Sequence, residues 1–258
     1  MTLAADVRAA YDASGAAWGQ GPTSLYTELA RPLLAACGDV RGMRVLDVGT
    51  GGGAVASLLA AHGADVVACD GSFGMLAPGA AARPPAAVAD VLALPFRDRA
   101  VDVCVAGFVL NHLPDPAAAA REMARVGGRM VATTFGGNAA AEVKEHLDRV
   151  ASQRGWVAPD WYVDLHTGPL YQPAPATAAA ALERAGLVDV DVEVVTLSLA
   201  LTVEQVLAWR WGMAHYAPFI ASLSETERAR LDDDARAGLE PLAPLDFPVL
   251  VMAGQARD

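Results

Sequence analysis

Residues 45–53 read Val-Leu-Asp-Val-Gly-Thr-Gly-Gly-Gly, an apolar run that ends beside a carboxylate and enters a glycine turn. Gly49, Gly51 and Gly53 can take backbone angles closed to other residues and carry no Cβ, so a ligand can lie directly against the main chain there. The segment 54–61 that follows predicts a helix opening at the turn and stopping at Gly63. A strand, glycine turn and helix in that order commit the chain to an α/β architecture.

The remaining pattern extends this reading. Strands are predicted at 43–48, 65–70, 86–90, 101–106, 129–135, 188–199 and 247–253. Those up to residue 135 are mostly continuous apolar runs, as expected of a sheet covered on both faces. Helical segments fall between them, predicting a doubly wound sheet of seven strands, mostly parallel. Asp115 followed by Pro116 predicts a helix N-cap with proline at the first helical position.

Two cofactor classes use such a turn. Gly49, Gly51 and Ala54 satisfy the dinucleotide fingerprint, and Asp70 sits about 20 residues on, where either class places a ribose-binding acid. Other features favour S-adenosylmethionine. Asp47 would repel a pyrophosphate but suits the ammonium of a methionine moiety. A further acid, Asp90, follows the run 86–89 and continues as Asp-Val-Leu-Ala-Leu-Pro-Phe. The run 101–106 leads into Phe108-Val-Leu-Asn-His-Leu-Pro-Asp-Pro116.

Over roughly residues 41–135, these ordered motifs resemble those of class I S-adenosylmethionine-dependent methyltransferases, especially the ubiquinone/menaquinone-biosynthesis type and its small-molecule relatives. The resemblance implies a Rossmann-like methyltransferase fold, with a seventh strand at 247–253 running antiparallel near one edge. It implies S-adenosyl-L-methionine as cofactor, Asp70 on the ribose hydroxyls, and Asp90 with Val91 on the adenine. The turn residues Asp47, Gly49, Thr50, Gly51 and Gly53 belong to the same expected set, as do Gly71, Met75, Phe108 and His112. One departure is visible: Arg125-Val126-Gly127-Gly128 is shorter than the family's usual approach to its fifth strand.

With 53% hydrophobic and 19% charged residues, the 258-residue chain is expected to be globular, and no apolar stretch approaches the roughly 20 residues of a membrane span. Residues 1–10 carry Asp6 and Arg8 and do not read as a signal peptide. A net charge of −11 and a single lysine, Lys144, argue against a nucleic-acid substrate. Cys37, Cys69 and Cys104 show no metal spacing and are expected to be reduced core residues of a cytoplasmic protein. One domain, 1–258, is expected, as a monomer or homodimer, with a cofactor core at 41–135 and cap segments at 1–37, 137–175 and 200–245.

All five tryptophans and all five tyrosines lie outside residues 27–155. Their segments are placed to roof the carboxyl ends of the strands, where ligands of open α/β sheets bind. The expected acceptor is therefore small and aromatic or natural-product-like, contacted by Tyr11, Trp18, Asn111, Trp161, Tyr162, Trp209 and Tyr216. Ordinary core packing competes for the same aromatics, since Trp209 and Tyr216 sit at helical spacing. His166 and His215 in the cap are the candidate general bases, and no metal is expected. A nicotinamide-dependent oxidoreductase and a non-catalytic S-adenosylmethionine-binding protein are the alternative readings.

Overall fold

The computed structural model describes residues 3–168 and 170–257. Three helices, α1 (Leu3–Gln20), α2 (Pro22–Leu29) and α3 (Arg31–Cys37), precede the first strand, β1 (Arg44–Val48). There follow α4 (Ala54–Ala61), β2 (Asp65–Asp70), α5 (Phe73–Leu76), β3 (Ala86–Val88) and β4 (Val103–Gly107). A 3-10 turn, Leu110–His112, leads to α6 (Pro116–Gly127) and β5 (Arg129–Phe135). The second half comprises α7 (Ala141–Gln153), α8 (Asp160–Leu165), α9 (Pro175–Arg184), β6 (Leu187–Leu199), α10 (Val203–Gly212), α11 (Ala217–Ser222), α12 (Glu225–Ala237) and β7 (Leu245–Ala256).

The strands form one seven-stranded sheet in the order β3-β2-β1-β4-β5-β7-β6. Strands β1 to β5 pair in parallel, whereas β7 runs antiparallel between β5 and β6. Successive residues of β1 point to opposite faces, so Val45 joins the apolar layer with Leu29, Leu33 and Val103, and Leu46 joins the other with Cys104, Met123 and Met130. Because strand order reverses on either side of β1, a crevice opens beyond its carboxyl end. The glycine turn lies there.

Local chemistry sets the element ends. The chain leaves α4 through Gly63 at φ 90, with the Gly63 N–H donating to the Ala60 carbonyl and the Ala64 N–H to that of Leu59. That pair of bonds is a Schellman stop. Asp115 accepts from the Ala118 N–H at 2.9 Å and caps α6, with Pro116 at its start. Strand β3 ends two residues earlier than the spacing suggests, because the Asp90 carboxylate turns back to accept the Leu92 N–H at 2.9 Å. The short link 125–128 is absorbed by running α6 to Gly127, where a Cβ would stand 2.5 Å from the Cys104 backbone nitrogen.

The segments outside the sheet meet around α1, which packs on α5, α8, α10 and α11. Close backbone crossings make this docking specific. A Cβ on Gly15 would lie 1.9 Å from the Gly74 carbonyl oxygen, and one on Gly21 would lie 1.9 Å from that of Ala208. Among the described residues, no helix is long and apolar enough to cross a membrane. The three cysteines are buried and unpaired, and burial pushes the Cys37 and Cys69 thiols up to about 11 and 12.

Candidate cofactor and acceptor site

The turn is held open by backbone bonds. Gly49 and Gly51 take φ 70 and φ 53, and the N–H groups of Gly49 and Thr50 both donate to the Cys69 carbonyl, at 2.8 and 3.0 Å. Asp70, at the end of β2, accepts the Gly51 N–H on one carboxylate oxygen and the Ser72 N–H on the other, each at 2.8 Å. Burial raises its pKa, while these two donors pull it back. The acid that the sequence marks for a ribose thus also sets the shape of the turn.

Above the turn is a cavity of about 250 Å³. Its floor includes Gly49, Thr50, Gly51, Asp70, Gly71 and Met75, and its far wall includes Asp90, Val91, Phe108 and His112. Helices α1 and α2 supply the roof through Val7, Tyr11, Trp18 and Tyr26. Two residues of the expected cofactor set do not line it. Gly53 instead caps α4 at φ 88 with the Arg83 side chain against it. Asp47 is wholly buried behind the turn, because its side chain points off β1 into the sheet layer rather than out of its end. Direct contact between Asp47 and an ammonium is therefore corrected to an influence through the turn. Burial pushes its pKa up to about 7, with the Thr50 hydroxyl and the Ala56 N–H opposing the rise.

Tyr26 and Asp12 are contributions the sequence reading missed. Tyr26 carries the same signal as the other aromatics outside the core. Asp12 gives none, since one carboxylate among many on a helix has no pattern. It accepts the Gly74 N–H at 2.6 Å and the Ser72 hydroxyl at 3.0 Å, fastening α1 to the segment after Asp70.

One polar group of three stands at the cavity wall. The Tyr11 hydroxyl and the Asn111 amide nitrogen each lie 3.3 Å from His112 Nε2. The amide nitrogen can only donate, so Nε2 accepts and the ring proton sits on Nδ1, which has no partner among the described residues. Burial lowers His112 to about 4, leaving it neutral at physiological pH. Asn111 is buried beneath the cavity and orients His112 rather than lining the pocket.

The cap residues divide. Trp161 stands 6.5 Å from Tyr11, centroid to centroid, and 5.9 Å from Tyr162, at the edge of the roof. Trp209 is 2% exposed and packs edge-on against Phe247 at 5.6 Å, so it is a core anchor rather than a pocket wall. Tyr216 is fully buried, stacked on Trp156 at 4.4 Å, with its hydroxyl donating to Asp148. The two candidate bases also stand off the cofactor cavity. His215 is stacked on Tyr162 at 3.8 Å, and burial drives its pKa well down. His166 is an exposed ring at the end of α8, edge-on to Tyr162 and Tyr171. Trp209, Tyr216 and His215 turn inward to fill the cap, and the histidine at the cavity is His112.

Comparison with known proteins bears on this geometry. The model of the methyltransferase domain family matches residues 46–132. A demethylmenaquinone methyltransferase from Mycolicibacterium vanbaalenii is 38% identical over 156 residues, spanning 57% of this chain and 68% of that protein. Its counterpart from Mycolicibacterium paratuberculosis is 39% identical over 155 residues, spanning 56% and 67%. Among solved structures, the methyltransferase partner of the Trm112 activator from Haloferax volcanii superposes with a TM-score of 0.59 at 21% identity, covering 98% of each chain. Phosphoethanolamine N-methyltransferase 2 of Haemonchus contortus, in complex with S-adenosyl-L-methionine, gives 0.54 at 19% identity, with 90% of this chain covering about half, 53%, of that one. At such identities the likeness of structures is one of fold.

Proposed function

The chain belongs to the class I S-adenosylmethionine-dependent methyltransferases, of the quinone-biosynthesis type, and from that premise we propose that it binds its cofactor along the glycine turn and methylates a small, planar, natural-product-like acceptor beneath the α1 roof. The observation carrying this reading is the cavity itself, with a main-chain floor tied to Asp70 and an aromatic roof of Tyr11, Trp18 and Tyr26. The floor suits a ligand laid against the main chain: Gly51 holds φ 53, where other side chains are strained, and a Cβ there would crowd the Met75 methyl at 3.1 Å. The fully buried Asp47 behind it fits a cofactor that brings positive charge. Membership of this family sets aside the nicotinamide reading of the same glycine spacing.

Mechanism follows from what the residues hold in place. S-adenosylmethionine supplies a methyl group on a positively charged sulfur, already joined to its leaving group. An acceptor lone pair forms the new bond to that carbon as the carbon–sulfur pair returns to sulfur, and any acceptor proton leaves to a base or to water. Tyr11, Trp18 and Tyr26 present π faces that attract the sulfonium and exclude water, while neutral His112 adds no opposing charge. Among the described residues of the cavity wall, the histidine is too weakly basic to take a proton at neutral pH. Positioning of an already nucleophilic acceptor is the role left to the protein. The acidic overall charge supports a small molecule over nucleic acid, and the free, buried cysteines support a cytoplasmic location.

Calorimetric titration with S-adenosylhomocysteine, coupled to product release from a panel of planar phenols and amines, tests the proposal. Binding with turnover of panel members is expected. Binding of cofactor product with no transfer to any small acceptor would overturn the acceptor assignment.

A further inference from the structure

Behind the roof lies a second group of side chains that the cofactor does not account for. Phe108, on the cavity wall, packs against Tyr26 at 5.1 Å and Phe135 at 4.8 Å. On the far side of Phe135 is Lys144, the only lysine of the chain, with its ammonium 5.2 Å from the Phe135 ring centroid and 6.0 Å from that of Trp209. Among the described residues, that ammonium has no hydrogen bond or ion pair. Beside it is Arg210, 2% exposed, which donates to Asp148 at 3.0 Å and lies over the Tyr216 ring, yet its Nε has no partner among the described residues. His215 Nε2 is buried and likewise unpartnered.

Tyr26 lines the cofactor cavity, and Lys144 and Tyr162 are half-buried rather than sealed in the core. Two cations face one carboxylate there. A buried cation without an anion is unfavourable, and this surplus has no structural partner to balance it.

We propose that this group of side chains forms the distal acceptor subsite, and that Lys144, supported by Arg210, holds an anionic oxygen of the acceptor, a carboxylate or an ionised phenol. The assignment rests on the methyltransferase reading and narrows its acceptor to acidic aromatic molecules. It also suits a cavity without a competent base, since an ionised acceptor needs none. Lys144 faces Asp148 along α7, Arg210 from α10, and His166 and His215, with Tyr162 packed on both histidines and Tyr171 on His166. Burial first, and then Arg210, lower the Lys144 pKa to about 7, with Asp148 opposing. An anion beside Lys144 favours its protonated form, so anion affinity falls as pH rises above 7.

The test uses the full chain saturated with S-adenosylhomocysteine, titrated with 2-naphthoate and its uncharged isostere 2-naphthamide. Naphthoate should bind at least tenfold more tightly at pH 6.5, and the advantage should shrink by pH 9. Lys144→Met should abolish both the preference and its pH dependence, leaving S-adenosylhomocysteine affinity unchanged. Lys144→Arg, which keeps a charge that does not titrate, should keep the preference and lose the pH dependence. Equal affinity for the two probes, binding of neither, or a preference surviving in Lys144→Met overturns the proposal. Failure of the cofactor reading would appear separately, as absence of S-adenosylhomocysteine binding in the unmodified protein.

Discussion

Asp70 and Asp47 show how much a single carboxylate can carry. Both Asp70 oxygens accept backbone N–H groups, so Asp70→Asn must turn an amide NH₂ toward one of those donors. It should weaken cofactor binding about tenfold or more, as loss of a charge-assisted bond implies, and calorimetry with a parallel melting curve will show both effects. Asp47 gives a pH signature. Its folded pKa is about 7, above the roughly 3.9 of an unfolded aspartate, so between those values the folded state keeps a proton that the unfolded chain has lost. Stability should therefore fall as pH rises through that window, by on the order of 4 kcal/mol in total, with Asp70 acting in the same direction. Asp47→Asn should flatten most of the slope in urea melts from pH 4.5 to 8. S-adenosylmethionine, arriving with positive charge, should bind more tightly to the unmodified protein as Asp47 ionises, and this gain should vanish in the variant.

Among the elements, α1 depends on glycine contact more than on an apolar stripe. Gly15→Ala would drive a methyl group into the Gly74 carbonyl, whereas a Cβ on Gly19, in the same helix, meets nothing within 4 Å. Gly15→Ala should undock the helix, raise the cofactor dissociation constant by tenfold or more and speed amide exchange over residues 3–20. Gly19→Ala should leave affinity unchanged and add up to about 1 kcal/mol of stability. This contrast marks the limit of what the sequence shows. The strands were legible because each is a compact apolar run, and α6 because Asp115 and Pro116 announce it. Docking of α1 on α5 was not, because a close crossing of two glycines leaves no periodic trace, and the Asp12 bridge to Ser72 and Gly74 depends on residues that no local pattern connects.

For the molecule as a whole, the cofactor floor comes from consecutive strand ends and the roof from segments far apart in sequence. Binding of S-adenosylhomocysteine with an acceptor should slow amide exchange in residues 3–20, 160–168 and 203–217 as well as in 45–112, because closure has to exclude water from the methyl donor. Protection confined to 45–112 would make the aromatic segments packing elements alone. The floor was readable from residues 41–135, whereas the division of cap aromatics into wall and core was not, since both uses reward the same large rings at the same helical spacing. Finally, α1 leaves the ribosome long before α10, against which it packs. Closing so long a loop is entropically costly, so α1 can rest early on α5 but completes its docking only once α10 is made. The roof should therefore settle in two stages as the nascent protein emerges, first over α5 beside the glycine turn and later against the helix made near the end of synthesis.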